Sequence, residues 1–320
     1  MSEDGRDPRQ LLLTSLDAPA CRIEYSDRPI VLLCGGRVPI KTKPEDSDPP
    51  LESLRHAISK LHTAFEIFRP EEITSWQSDG VFKDLMTFET ELASICSLVV
   101  ILVESEGALV ELGAFSQLVE LADKILAICP EKYINDTSFI NLGILRFIAA
   151  KQPTQVRNYP WTPKRKDEPS DVTPEVVNDV VADIGEELTK LPKTQLLKAD
   201  HHSHTMVLIC ELLKLFSALK ESEILEYLAY FGIKITKDVL QGKLFLLAKF
   251  RLVKTQTYSD ALFYLRGNEP YHKLRISLKD SAKPIDILRI EILCLEYYRV
   301  GIKHRNRIRA IALAGREVKL

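Results

Sequence analysis

The chain has 320 residues, 45% of them hydrophobic and 28% charged, with a formal net charge of −2. That composition is globular with room for two domains; the apolar run Leu98–Val103 is far too short to span a bilayer, and the acidic start MSEDGRDPRQLLL is no secretory signal. Six scattered cysteines without a C-x-x-C pair read as reduced thiols in apolar runs, so a soluble cytoplasmic protein with no membrane partner is expected.

Residues 1–27 read as a flexible N-terminus. Ile30–Cys34 is an apolar strand ending in Gly35-Gly36-Arg37, a turn that exposes backbone N–H groups. The proline- and acid-rich loop KTKPEDSDPP at 41–50 precedes a helix over 51–65, with Leu54, Ile58, Leu61 and Phe65 at helical spacing. A second amphipathic helix, 82–95, carries Glu89 and Glu91. Leu98–Val103 is a buried strand that ends in Glu104, Ser105 and Gly107. A helix follows from about Gly107 to Ala122, with Glu111 one turn inside it. Strand 124–129 and helix 139–149 continue the alternation, which predicts an α/β fold with a parallel, Rossmann-like sheet covered on both faces, over residues 28–192. Within it, the proline-rich stretch 151–173 with Lys164-Arg165-Lys166 reads as a surface connection, and 174–191 as a closing helix.

Residues 193–204 read as a polar linker. His201, His202 and His204 have no fourth ligand at a useful spacing, so neither a metal nor a resident cofactor is expected. The remainder, 205–320, predicts helices at 206–219, 221–231 and 237–250, then strands 252–258 and 261–266 joined at Ser259-Asp260. Three helices followed by a hairpin is the order of a mostly α winged-helix-like domain. Residues 1–200 hold 22 Lys and Arg against 33 Asp and Glu, whereas residues 201–320 hold 21 against 12. The split marks the second module as the one for nucleic acid or another partner. Its candidate contacts are Lys237, Lys243, Lys249, Arg251 and Lys254, with Lys303, Arg305, Arg307 and Arg309 on the tail. The tail cations spread around a helix, which suits phosphate contacts rather than base reading.

The chemistry concentrates where LVVILVESEGALVELGAF runs from strand to helix at 98–115. In open α/β sheets ligands bind beyond the carboxyl ends of the strands. A carboxylate near a helix N-terminus stays ionised, and Glu111 can then attack an anomeric carbon or stabilise an oxocarbenium-like transition state. Glu104, at the strand end, is the second catalytic candidate. Gly35, Gly36, Arg37, Ser105 and Gly107 are candidates to hold sugar and phosphate, and Glu89 is a further carboxylate for the site. The chain has no G-x-x-x-x-G-K-[ST], G-x-S-x-G or H-E-x-x-H motif.

The VESEGALVELGAF segment, preceded by RPIVLLCGG, resembles the nucleoside 2-deoxyribosyltransferase superfamily over roughly residues 28–150. The resemblance implies that Glu111 is a nucleophile toward C1′ of a nucleoside or nucleotide, and that Ser105–Gly107 line the sugar or phosphate site. Ser97 stands where transferases of that family carry an aspartate, which implies an N-glycosidase in place of base exchange. Together the two modules resemble toxin effectors of bacterial retron anti-phage defence. That resemblance implies cleavage of the N-glycosidic bond of NAD or a related nucleotide, with NAD as substrate rather than cofactor. It also implies restraint by a reverse transcriptase and its RNA-linked DNA, and allows a homo-oligomer. The alternatives are a non-catalytic nucleotide-sensing, DNA-binding regulator, or a true nucleoside 2-deoxyribosyltransferase.

Overall fold

A computed structural model describes residues 6–39, 49–163, 171–280 and 285–316; most of the 41–50 loop and Lys164-Arg165-Lys166 lie outside the described residues. In chain order the elements begin with α1 (Pro8–Ser15), β1 (Arg22–Glu24), β2 (Ile30–Cys34), α2 (Leu54–Ile58), β3 (Glu66–Phe68), α3 (Trp76–Asp79), α4 (Leu85–Ile95) and β4 (Leu98–Leu102). Next come α5 (Glu106–Ser116), α6 (Val119–Ala122), β5 (Ile125–Pro130), α7 (Arg146–Lys151), β6 (Val156–Tyr159), α8 (Pro174–Lys190) and β7 (Thr194–Leu196). The rest are α9 (His202–Phe216), β8 (Ala218–Leu219), α10 (Glu221–Ala229), α11 (Lys237–Lys249), β9 (Val253–Tyr258), β10 (Ala261–Arg266), β11 (Lys273–Arg275), α12 (Ile287–Val300) and α13 (Arg305–Arg316). Among the described residues no helix is long and apolar enough to cross a membrane.

The chain divides into two compact units, Arg28–Ser75 with Leu85–Leu191, and Met1–Asp27 with Trp76–Asp84 and Pro192–Leu320. The former is the Rossmann-like α/β part. Its sheet has five parallel strands in the order β3-β2-β4-β5-β6. Every residue of β2, β4 and β5 is buried, because both faces of the sheet are covered. One face packs Val31, Leu33, Val100, Leu102 and Leu126 against Leu54 and Ile58 of α2 and Val180 and Ile184 of α8. On the other, α5 crosses β4 and β5 with Leu112 and Phe115 buried. The strand order reverses between β2 and β4, and ligands of doubly wound sheets bind at that switch point.

The second unit holds two small antiparallel sheets, β11-β1-β7 and β8-β10-β9, around the largely buried α9. Helices α9, α10 and α11 precede the β9–β10 hairpin, whose turn carries Ser259 at a positive φ.

Several elements differ from the sequence reading. Within the expected flexible N-terminus, the described residues 6–27 are not a loose lead-in: β1 is the central strand of its sheet, and Arg9 of α1 donates to Glu223 at 2.7 Å while lying over the Tyr227 and Tyr298 rings. The strands that hold β1 come from residues 194–196 and 273–275, so nothing local announces it. The expected linker therefore contains β7 and the start of α9, and His204 is a core residue whose Nδ1 accepts the Lys198 N–H. The expected 51–65 helix stops at Ile58, and Glu66–Phe68 pairs with β2 instead. The surface connection contributes β6 at the sheet edge. The 139–149 helix opens as a π-helical turn, Ile140–Leu145, before α7.

Candidate active site

Glu104 follows β4 directly and organises the switch point. Its carboxylate accepts the backbone N–H groups of Gly36 (2.9 Å), Leu54 (2.9 Å) and Arg55 (3.1 Å), so it caps the N-terminus of α2 and closes the glycine turn in one contact. Burial pushes its carboxyl up, and the three N–H groups pull it back. The glycines exist for this approach. A Cβ on Gly36 would lie 2.8 Å from Ser53 Cβ and 3.0 Å from the Glu104 carboxyl carbon. On Gly35 it would lie 3.0 Å from Leu102 Cβ and 3.1 Å from Glu104 Oε1. The Gly36 N–H, expected to face a ligand, is thus engaged by Glu104. Ser105 donates to the Gly35 carbonyl at 3.2 Å and caps α5 by accepting the Ala108 N–H. Gly107 lies exposed in the first turn of α5, and Arg37 is exposed beyond the glycine turn.

One turn further along α5, Glu111 is half-buried and its Oε2 has no hydrogen-bond partner. The Cys34 thiol, at the end of β2, donates to its carboxylate. Burial raises the Glu111 carboxyl, against the pull of the Arg55 cation and the Cys34 bond. Glu89, on the neighbouring α4, is raised to about 7 by burial and by the charges of Glu111 and Glu71. The two carboxyls sense each other, and their environments push them away from the ordinary range in which both would be ionised.

Sequence reasoning did not find the cation of the site. Arg55 is 2% exposed. It donates from Nε to the Leu33 carbonyl at 2.8 Å, from Nη1 to Gly36 O at 3.4 Å, and in a fork to Glu71 at 2.7 and 2.6 Å. Against its own burial, Glu71 is held low by that fork. A basic residue two places after the helix cap Ser53 is the only sequence signal. The site is thus four carboxylates around one locked guanidinium: Glu71 paired with it, Glu104 structural, Glu111 with a free lone pair, and Glu89 titrating near neutrality.

Residues 51–255, more than half of the chain, match the family described as STM3845 retron effector protein. The chain belongs to that family of retron effectors. An Escherichia coli relative named "Retron Ec86 putative ribosyltransferase/DNA-binding protein" is 31% identical over 122 residues, which is 37% of this chain and 36% of the relative. The similarly named protein of the E. coli retron Ec73 is 29% identical over 121 residues, 37% of each chain. The chain therefore spans a little over a third of the length of these relatives.

In this retron effector the basic residues expected to touch a partner fall into two groups. Lys243 is 1% exposed and Arg307 4%. Arg307 is committed to Glu223 through two contacts at 2.5 and 2.6 Å and lies over the Phe263 and Tyr298 rings. Lys254 donates to the Ala314 carbonyl at the end of α13. Lys243 and Arg307 are buried in the fold rather than facing a partner, and the half-buried Lys254 is engaged by the end of α13. Lys237, Lys249, Arg251, Lys303, Arg305 and Arg309 are exposed; Lys237 sits 3.4 Å from Glu221 and Arg251 3.9 Å from Glu269.

Proposed function

We propose that this retron effector is a toxin that hydrolyses the N-glycosidic bond of NAD or a related nucleotide. The observation that carries the proposal is the pairing of Glu111, whose Oε2 is buried without a partner, with Glu89, whose carboxyl titrates at about 7. The pair sits at the switch point of the sheet. The names of the two relatives, each of which reads "putative ribosyltransferase/DNA-binding protein", support glycosyl chemistry.

In the proposed reaction a Glu111 carboxylate oxygen attacks C1′ as the C1′–N bond breaks, giving a glycosyl ester. Nicotinamide leaves NAD as a neutral base, since its ring nitrogen is cationic in the substrate. A purine or pyrimidine needs a proton, which protonated Glu89 supplies. Water then attacks C1′, Glu89 takes its proton, and the ester releases Glu111. Arg55 is the counter-charge that keeps Glu111 ionised, and Glu104 positions α2 and the glycine turn around it. Ser105, Gly107 and Arg37 line the entry for sugar and phosphate.

In the same proposal residues 205–320 are a winged-helix domain. The order α9-β8-α10-α11-β9-β10 and the β8-β10-β9 sheet support that reading. Its exposed cations hold the reverse transcriptase with its RNA-linked DNA, which keeps the enzyme silent in the cytoplasm. The test is expression of the chain alone. Loss of NAD or another nucleotide with wild type and intact pools with Glu111→Gln are expected; intact pools in both, with folded protein, overturn the reading.

A further inference from the structure

Among the carboxylates of the site, Glu104 is committed to backbone N–H groups, and Glu111 and Glu89 carry the proposed chemistry. Glu71 has no part in that reaction. It lies in a single 3-10 turn, Pro70–Glu72, just past the carboxyl end of β3 and against β2. The turn is pinned, with Pro70 and Ile73 buried and Arg69 donating to Glu72 at 2.7 Å. The Glu71 side chain is 59% exposed, yet the buried Arg55 beneath it grips its carboxylate in a fork at 2.7 and 2.6 Å. The same guanidinium donates to the Leu33 and Gly36 carbonyls, so Glu71 is tied to the glycine turn at the switch point.

A carboxylate has about four acceptor lone pairs, and the fork takes one on each oxygen. Each Glu71 oxygen therefore keeps acceptor capacity toward solvent. Burial raises this carboxyl, but the fork and charge of Arg55 hold it low, so the acceptor is an anion at neutral pH. Its charge reaches both Glu89 and Glu111. An exposed glutamate ordinarily loses side-chain entropy when it binds a ligand, whereas this one is fixed beforehand. A fixed, exposed, anionic acceptor at a strand end beside the switch point suits a sugar hydroxyl and repels phosphate.

Resting on the proposed reading of the site, we propose that Glu71 reads the ribose. Its carboxylate accepts the 2′-hydroxyl while Glu111 faces C1′, so the substrates are ribonucleotides rather than 2′-deoxyribonucleotides. The 2′-hydroxyl is next to the carbon that Glu111 attacks, and a hydrogen bond to it strengthens as the oxocarbenium-like transition state forms. Arg55 acts through Glu71, as its positioning residue.

Calorimetric titration of the full chain carrying Glu111→Gln, which removes turnover, tests this. The probes are NAD, ATP and GTP, each beside its 2′-deoxyribose counterpart, with NAD altered on the nicotinamide side. At least one ribonucleotide is expected to bind about 10–100-fold more tightly than its deoxy partner, the worth of a hydrogen bond to a charged group. Adding Glu71→Gln, whose amide oxygen is taken up by Arg55, is expected to bring that ratio close to one and to leave the deoxy member's affinity unchanged. Equal affinities within every pair, binding of none, or selectivity that survives Glu71→Gln overturns the proposal. A loss shared by both members of a pair also overturns it, since a collapsed site weakens both. Selectivity that depends on Glu71, in a protein whose wild type hydrolyses none of these nucleotides, refutes the proposed reaction and leaves the ribose contact standing.

Discussion

Replacing Glu111 by Gln is expected to make the protein more stable while abolishing its activity. The native carboxylate keeps Oε2 buried without a partner, lies beside Glu89, and has its carboxyl raised by burial. An unsatisfied buried acceptor costs about 1–3 kcal/mol, and a neutral amide removes the charge part of that cost while its carbonyl keeps the Cys34 bond. A gain of about 1–2 kcal/mol corresponds to a rise in Tm of roughly 2–8 °C for a unit of this size. The gain has a definite pH dependence. Because the folded Glu111 binds its proton more tightly than the unfolded one, the native state holds more protons above the ordinary carboxylate range, and stability falls as pH rises through that window. The Gln variant lacks this loss. Thermal unfolding of both proteins across a pH series is the assay: near pH 4 the two are expected to melt together, and at pH 8 the variant higher. A variant less stable than wild type at pH 8, or a gain independent of pH, would refute the strained-carboxylate account.

Glu89→Gln is expected to remove a limb near pH 7 from the rate profile and to slow purine nucleotides by about 10²–10⁴-fold, with a smaller loss on NAD, whose leaving group needs no proton. Equal losses on both substrates would exclude Glu89 as the acid. Gly36→Ala is expected to cost about 1–3 kcal/mol, read by denaturant unfolding, because its Cβ meets Ser53 and the Glu104 carboxyl that caps α2; wild-type stability would show that Glu104 can yield. Arg307→Met is expected to lower stability by about 1–3 kcal/mol, the loss of one of the two cations on Glu223, since Arg9 still holds that carboxylate at 2.7 Å. Arg309→Ala is instead expected to leave stability unchanged and to reduce the salt dependence of nucleic-acid binding, if α13 contacts phosphates.

The α/β alternation was legible because β2, β4 and β5 are continuous apolar runs, and because Glu104, Ser105 and Glu111 lie within eight residues of one strand-to-turn-to-helix junction. The segments that signalled themselves carry local information, such as an apolar run or a helix cap. The strand β1 and the edge strands β3 and β6 did not, since each is stabilised by partners far away in the chain; α2 did signal itself, but its end at Ile58 did not, because the following residues pair with β2 instead of extending the helix. The same distinction separates the functional residues. Sequence alone marked Glu111 and Glu89 as carboxylates near a ligand edge, and gave the second half of the chain its positive charge. Only the tertiary structure decided that Glu104 spends its lone pairs on backbone N–H groups, that Glu111 keeps one free, and that Arg55 is the buried counter-charge. It also sorted the cations, turning Lys243 and Arg307 inward, tying the half-buried Lys254 to the end of α13, and leaving Lys249 and Arg309 to solvent. The reason is physical: charge and periodicity are properties of neighbouring residues, whereas desolvation and hydrogen-bond satisfaction depend on whichever distant groups the fold brings within about 3 Å.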